Sequence, residues 1–133
     1  SEMCIRDSTI GAANPSSVGL LFRNCVSEFG HEILSGHFHD TRAMALANVC
    51  AALAEGIRKF DSCIGGLGGC PFAPGAAGNL ATEDLANMLD QMGYSTNIDL
   101  KKLSEIVLFC EEQLHAPLGG RMSAWLNKQS KAI

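Results

Sequence analysis

The sequence predicts an α/β fold with a parallel sheet, and two observations support this prediction. Segments typical of strands and helices follow in the order strand, helix, strand, helix, strand, loop, helix, helix. The connections between them are only a few residues long, and such strand–helix repeats place neighbouring strands parallel. The length of 133 residues allows at most one ordinary domain. Three strands make a small sheet for this class, which suggests that part of the fold lies outside this sequence.

The first predicted helix has clear ends. Asn14 can act as its N-cap, Pro15 suits the first helical position, and SSVGLLFRNCVSEF leads to Gly30. The segment EILSGHFHD is typical of a strand, because it alternates Leu34, Gly36 and Phe38 with Ser35, His37 and His39. A second helix, TRAMALANVCAALAEG, ends at Gly56. Its apolar positions are Met44, Leu46, Val49, Cys50 and Leu53.

The second half of the sequence is predicted to contain one more strand and further helices. IRKFDSCIG is typical of a strand, and the loop GGLGGCPFAPGAAGN runs from Gly65 to Asn79. Thr82 is the expected N-cap of the helix EDLANMLDQM, which ends at Gly93. Asp99 begins the helix LKKLSEIVLFCEEQLH. Its apolar face is formed by Leu100, Leu103, Ile106, Val107, Cys110 and Leu114. The tail PLGGRMSAWLNKQSKAI is either a short helix or frayed.

The composition argues against several classes of partner. The net charge is −4, whereas nucleic acids and anionic membranes bind basic surfaces, so neither is expected as a partner. The six cysteines show no CxxC spacing, which disfavours a zinc ribbon. Cys25, Cys50, Cys63 and Cys110 lie in apolar helical or strand segments, where a free thiol behaves as a small buried hydrophobe. We therefore expect a reducing, cytoplasmic location.

The motif HFHD is the first candidate for chemistry. Residues i and i+2 of a strand point to one face, so His37 and His39 would present two imidazoles that suit one divalent metal ion. They end a strand, which is where parallel α/β folds place their sites. The alternative is a pair of polar residues on a solvated strand face. Asp40 would either cap the next helix or support a ligand, and capping is the favoured role.

The glycine-rich loop carries two further candidates. Asn79 offers a neutral oxygen ligand, although its place at a loop–helix junction is by itself sufficient reason for an asparagine. Cys70 is either a mobile acid or base or a simple loop thiol. The sequence shows no cation beside it, so it gives no reason to expect a lowered pKa of this thiol. Neither GxxxxGK[ST] nor GxGxxG occurs, which argues against a phosphate-binding loop. The glycine content favours a loop that changes shape over a site.

The run HFHDTRAMALANVCAALAEGIRKFDSCIGGLGGCPFAPGAAGNLATEDLANML closely resembles the hydroxymethylglutaryl-CoA lyase family, one of the metal-dependent TIM-barrel lyases and synthases. The resemblance extends from about Thr9 into the helix after Asp99. It implies the carboxyl-terminal part, about the last three βα units, of an incomplete TIM (β/α)8 barrel with C-terminal helices. The expected organisation is a leader at 1–8 that need not be native, a partial barrel at 9–98 and a helical region at 99–133.

The resemblance also implies a reaction and its ligands. The family cleaves 3-hydroxy-3-methylglutaryl-CoA to acetyl-CoA and acetoacetate, in leucine degradation, with Mg²⁺ or Mn²⁺. His37, His39 and Asn79 would be metal ligands. Cys70 and His37 would be catalytic. An acyl-CoA substrate is implied, and at full length a homodimer or larger assembly.

Further supporting residues are expected from their positions in the sequence. Asp40 and Glu83 would support the ligands or cap helices. The hinges of the loop would be Gly68, Gly69, Gly75 and Gly78.

The chain also departs from the family pattern. The first strand of the family barrel supplies a metal-binding aspartate and a catalytic arginine, and neither is in this sequence. Where the family has DTIG the chain has DSTIG, so Asp7 is out of register and is assigned no role. We therefore expect little or no activity from this chain alone. The alternatives are a related acyl-CoA-dependent synthase, which HFHDT and GGCPFAPGA disfavour, and a non-catalytic remnant or half-barrel.

Overall fold

The computed structural model describes residues 3–6, 11–68 and 78–131, which form a small parallel sheet with helices packed against it. The strands are β1 (Met3–Arg6), β2 (Leu34–His37) and β3 (Phe60–Asp61). The helices are α1 (Pro15–Phe29), α2 (Ala45–Ala54), α3 (Thr82–Gln91), α4 (Leu100–Leu114) and α5 (Arg121–Lys131). A 3₁₀ turn, Ile64–Gly66, follows β3. The predicted α/β class is confirmed.

The sheet has the order β1-β2-β3, and both pairs of strands are parallel, as predicted. β2 is central, and its last residue, His37, lies in register with Asp61 of β3. β1 lies inside the 1–8 segment that we interpreted as a leader. The boundaries at 8/9 and 98/99 stay predictions.

The hydrophobic core lies between the sheet and the helices α1, α2 and α3. Its fully buried large side chains include Phe22, Leu34, Phe38, Val49, Ile57 and Leu80. Leu34 and Gly36 of β2 are buried and alternate with Ser35 and His37, which are half-buried. Burial of one face of the strand therefore leaves His37 on the opposite face.

Local sequence signals explain where α1 and α4 begin. Asn14 accepts a hydrogen bond from the amide of Ser17, and Ser17 Oγ accepts one from the amide of Asn14, so the two residues form a capping box before Pro15. Asp99 accepts hydrogen bonds from the amides of Lys101 and Lys102. Both helix starts were predicted, because a cap depends only on residues close in sequence.

Other predictions were wrong where tertiary packing decides. Thr82 is the first residue of α3 and not its N-cap, and its hydroxyl lies 2.8 Å from that of Ser62. On α4 the predicted apolar face is only partly buried, since Ile106 and Leu114 are exposed. The tail, for which a short helix was one of the two predicted alternatives, does form a helix, α5. α4 turns Ser104 toward α5, with Oγ 2.7 Å from Asn127 Oδ1.

The cysteines of the described residues are free thiols. Cys50 is exposed on α2, so its predicted burial was wrong, and Cys25, Cys63 and Cys110 are half-buried. Among the described residues, no helix has both the length and the apolar character needed to span a bilayer.

Candidate metal centre

The two histidines of HFHD lie side by side at the carboxyl end of β2. Phe38 between them points into the core and is 2% exposed, which turns both imidazoles to the other face. The two Nε2 atoms are 3.3 Å apart, and the ring centroids are 5.3 Å apart. His39 is buried, whereas His37 is partly open to solvent. The i, i+2 spacing therefore produces the paired imidazoles that we expected.

The backbone brings Asn79 to the same place. His39 and Asn79 form an isolated antiparallel bridge, supported by a hydrogen bond from Leu80 N to Phe38 O. The Asn79 side chain donates from Nδ2 to Leu67 O at 2.9 Å. Its Oδ1 is buried and accepts no hydrogen bond within the described residues. A buried amide oxygen without a donor is costly, so Asn79 has an acceptor oxygen available for a ligand.

Asp61 is a site residue that the sequence analysis did not identify. Its Oδ2 lies 3.1 Å from His37 Nδ1. The parallel register explains this contact, since the two residues are direct neighbours on β2 and β3. A carboxylate at Nδ1 holds the ring proton there and leaves Nε2 as the lone-pair nitrogen. The only sequence signal was an aspartate at the end of the next strand.

These donors fit a divalent metal ion. Two ligand atoms at right angles, each about 2.1 Å from one ion, lie about 3 Å apart, close to the observed separation of the two Nε2 atoms. Without an ion, the same separation suits one N–H···N hydrogen bond. Within the described ranges, no three His, Cys, Asp or Glu side chains converge on one point. Asn79, which the backbone bridge places next to His39, is the candidate third donor through its amide oxygen.

Asp40 contacts the start of α2 but is not its N-cap, which is Met44. Its Oδ1 accepts a hydrogen bond from the amide of Ala45, the first residue of α2, at 3.1 Å. Its own amide donates to Gly78 O, which joins the end of HFHD to the far end of the glycine-rich loop. Asp40 thus holds the backbone around the two histidines.

Glu83 lies in the first turn of α3 and contacts the 3₁₀ turn and α5. Its side chain is completely buried, and its carboxylate accepts hydrogen bonds from the amide of Gly65 and the hydroxyl of Ser123. It does not cap its own helix α3 through any of these contacts. It joins the 3₁₀ turn to α5.

Two of the four glycines predicted as hinges are described, and both pack against the candidate site. Gly68 has a φ of +100°, and a methyl group there would come 2.6 Å from Asn79 Nδ2. A methyl group on Gly78 would overlap Gly66 O. Close approach of backbone and side chain therefore requires glycine at both positions. Gly69, Gly75 and the candidate catalytic Cys70 lie outside the described residues.

A cavity of about 320 Å³ opens beside these groups. The ends of the glycine-rich loop, Asp40, Asn79 and the α4–α5 connection, including Leu118, form its walls. His37 and His39 do not line this cavity, so the room that it offers lies next to Asn79 and not around the paired imidazoles.

Comparisons with known proteins show which family the chain is similar to. The model of the HMGL-like family matches residues 3–109. Hydroxymethylglutaryl-CoA lyase of Pseudomonas mevalonii is 51% identical over 106 residues, which cover 80% of this chain and 35% of that protein. The corresponding lyase of Bacillus subtilis is 48% identical over 91% of this chain and 40% of its own length. The chain thus spans little more than a third of these curated relatives.

Solved structures show the same likeness in three dimensions. The crystal structure of the HMG-CoA lyase of Bacillus subtilis matches with a TM-score of 0.90 and 46% identity, covering 96% of this chain and 42% of that one. An HMG-CoA lyase of Acinetobacter baumannii, in complex with coenzyme A and 3-methylmalate, matches with a TM-score of 0.85 and 42% identity. That match covers 91% of this chain and 39% of the solved chain.

Proposed function

The chain belongs to the HMGL-like family, and from that premise we propose that it is the carboxyl-terminal part of a carbon–carbon lyase. The reaction is cleavage of 3-hydroxy-3-methylglutaryl-CoA to acetyl-CoA and acetoacetate. The observation that carries the proposal is the 3.3 Å separation of the Nε2 atoms of His37 and His39, together with the backbone bridge from His39 to Asn79, whose buried Oδ1 accepts no hydrogen bond within the described residues. Similarity to HMG-CoA lyases over most of the chain supports it.

The proposed architecture is about the last three βα units of a TIM barrel, at 9–98, followed by the helical region at 99–133. The outer edges of β1 and β3 have no strand partner within the described residues. In a closed barrel every strand is paired on both sides, so the rest of the barrel would cover both edges. The match to about two fifths of a solved lyase chain supports this part-to-whole relation.

We assign the metal site to His37, His39 and Asn79, with Mg²⁺ or Mn²⁺ as the ion. When bound, the ion would supply Lewis-acid stabilisation of negative charge on the substrate oxygen. Imidazole and amide oxygen suit such ions. Asp61 would keep the proton of His37 on Nδ1, so that Nε2 remains a ligand. Asp40, which follows His39, would hold this segment against Gly78 through its backbone amide and against the start of α2 through its side chain.

Proton transfer is assigned to Cys70, with His37 as the second catalytic residue. The substrate's tertiary hydroxyl loses its proton, the carbon–carbon bond breaks to give acetoacetate, and the enolate of acetyl-CoA gains a proton. The glycine-rich loop would keep water from that enolate. The role of Cys70 rests on the family resemblance. The coenzyme A complex of the Acinetobacter baumannii lyase supports an acyl-CoA substrate.

A complementing half-barrel is the second candidate, favoured by the open sheet edges. In that case the chain would be inactive alone and active only with its amino-terminal counterpart. A cytoplasmic location and a homodimer at full length stay predictions.

The test is acetoacetate release from 3-hydroxy-3-methylglutaryl-CoA with Mg²⁺ or Mn²⁺. It compares this chain with a version extended by a family amino-terminal half. We expect activity only in the extended protein. His37→Ala and Cys70→Ala should lower kcat/KM at least about a hundredfold, because each removes a group used in the transition state.

Matched controls are available in the same chain. His31 and Cys50 are exposed and lie outside the candidate site, so His31→Ala and Cys50→Ala should leave the rate within about twofold. Inactivity of the extended protein, or equal loss in the controls, would contradict the lyase proposal. Activity of the short chain alone would contradict the expectation that the aspartate and arginine of the family's first strand are needed for the reaction.

A further inference from the structure

A buried carboxylate lies behind the candidate site, in the first turn of α3. Glu83 is 0% exposed, and its Oε2 accepts a hydrogen bond from Gly65 N at 3.0 Å. Its Oε1 accepts one from Ser123 Oγ at 3.2 Å. A methyl group on Gly120 would overlap Oε1, so this position accommodates only glycine. Burial of an acidic group at such close quarters requires specific donors, and the chain supplies two.

The amide that Glu83 holds belongs to the turn that orients Asn79. Gly65 is the middle residue of the 3₁₀ turn, and Leu67 N donates to Ile64 O at 3.0 Å to close it. The carbonyl of Leu67, the residue that follows the turn, accepts a hydrogen bond from Asn79 Nδ2 at 2.9 Å. Because Nδ2 is held there, Oδ1 must point the other way. Glu83 therefore acts on the Asn79 amide through one turn of backbone.

The carboxyl-terminal helix takes part in the same support. Ser123 of α5 donates to Glu83, and Gly119 N donates to Gly65 O at 2.9 Å. The neighbouring Asp84 accepts from the amides of Arg121 and Met122, at 3.1 and 2.7 Å, and so caps α5. Both carboxylates thus bind α5. Of the hydrogen bonds described here for the two carboxylates, only one of Glu83's comes from the 3₁₀ turn.

We propose that Glu83 is a positioning residue that sets the orientation of the Asn79 side-chain amide through the 3₁₀ turn, with α5 as part of its support. The significance of that orientation for metal binding rests on the proposed function. Comparison of variants at Glu83 and Asp84 distinguishes this role from simple stabilisation of the fold, because the two residues are adjacent and both accept hydrogen bonds from α5.

The first test is hydrogen exchange of the Asn79 Nδ2 protons, followed by NMR on this chain. Glu83→Ala should speed their exchange about tenfold, because the turn that carries Leu67 O loses a charge-assisted hydrogen bond. Glu83→Gln keeps a carbonyl oxygen for Gly65 N and should restore most of the protection. Asp84→Ala, the matched control, should leave exchange within about twofold after correction for global stability. Unchanged exchange in Glu83→Ala, or an equal increase in Asp84→Ala, would overturn the proposal.

Ser123→Ala provides a milder variant should Glu83→Ala fail to fold. It removes one donor to the carboxylate and leaves Gly65 N in place, so we expect a smaller increase in exchange in the same direction. Unchanged exchange in Ser123→Ala would then count against the proposal.

A second measurement separates this inference from the proposed function. The affinity for Mn²⁺, measured by electron paramagnetic resonance, should fall about tenfold in Glu83→Ala and stay unchanged in Asp90→Ala, an acidic residue of α3 that does not line the cavity beside Asn79. If His39→Ala and Asn79→Ala bind Mn²⁺ as well as the unaltered chain, the metal site fails. The exchange result for Asn79 decides the positioning role in either case.

Discussion

The carboxylate of Asp61 favours the His37 tautomer that carries its proton on Nδ1. The carboxylate lies 3.1 Å from Nδ1, and the opposite nitrogen, Nε2, faces His39. Imidazole carries one ring proton when neutral, so a proton held at Nδ1 leaves the lone pair on Nε2. The aspartate therefore tunes a candidate ligand without touching the ion itself.

Replacement of this aspartate should weaken metal binding. In Asp61→Asn the amide is a poorer acceptor and can turn its NH₂ group toward Nδ1, which moves the ring proton to Nε2. We expect the Mn²⁺ affinity to fall about tenfold, within the range for ligand-supporting residues. Isothermal titration calorimetry measures it directly.

Asp90→Asn is the control for that prediction. Asp90 lies near the end of α3, where its carboxylate accepts a hydrogen bond from the Thr96 hydroxyl, and its hydrogen bonds within the described part of the chain do not involve the histidines. Its replacement should leave the affinity unchanged. Equal affinities of Asp61→Asn and the unaltered chain would mean that Asp61 does not select the tautomer.

Among the helices, α1 depends on its cap. Asn14 binds the amide of Ser17, which otherwise has no intrahelical partner. Asn14→Ala should lower the free energy of unfolding by about 1 kcal/mol. Urea denaturation followed by circular dichroism measures the change. Asn24, exposed in the middle of α1, is the control, and a loss of equal size in Asn24→Ala would show that the cap is not the cause.

An ion pair joins α1 to the end of α2 and should make stability depend on pH. Arg23 contacts Glu55 through two nitrogens, at 2.7 and 3.3 Å. The hydrogen bond from Arg23 holds the pKa of the Glu55 carboxyl below its ordinary value. A carboxyl with a lowered pKa in the folded state stabilises the fold above its unfolded pKa, and this contribution disappears as the pH falls through the folded value.

Glu55→Gln should therefore reduce stability at pH 7 and have little effect near pH 3. The difference in urea midpoint between Glu55→Gln and the unaltered chain measures the pair at each pH. High salt should also shrink the difference, since the pair is near the surface. A difference that stays constant from pH 7 to pH 3 would rule out the ion pair as its source.

The whole molecule presents unpaired sheet edges. β1 and β3 each have one neighbour within the described residues, and several apolar side chains of α1 are exposed, namely Leu20, Leu21 and Phe29. Free strand edges and apolar surface favour association with other chains. Within the described residues, the outer edges of β1 and β3 are therefore available for pairing with another chain.

Association should depend on what covers these edges. We expect sedimentation velocity of the chain alone to show species that grow with concentration. Addition of a family amino-terminal half should give one complex with a single copy of each part. A monomer that persists at high concentration, and ignores the added half, would contradict a half-barrel.

Local signals were sufficient for much of this fold and for part of the site. The caps Asn14 and Asp99 were readable because a cap is satisfied by residues two or three positions away. The strand–helix order predicted a parallel sheet, and the i, i+2 spacing placed His37 and His39 on one face. The family resemblance, carried by a run of consecutive residues, pointed to Asn79 and Cys70.

Contacts between distant segments depended on packing and could not be read in this way. Asp61 meets His37 only because β3 pairs with β2 in that register, and a strand by itself does not specify its neighbour. Glu83 was expected near its own helix or a ligand, yet its partners come from the 3₁₀ turn and from α5, the latter some forty positions away. Periodicity likewise marked Ile106 and Leu114 as buried, but which side of α4 is covered depends on where α5 packs.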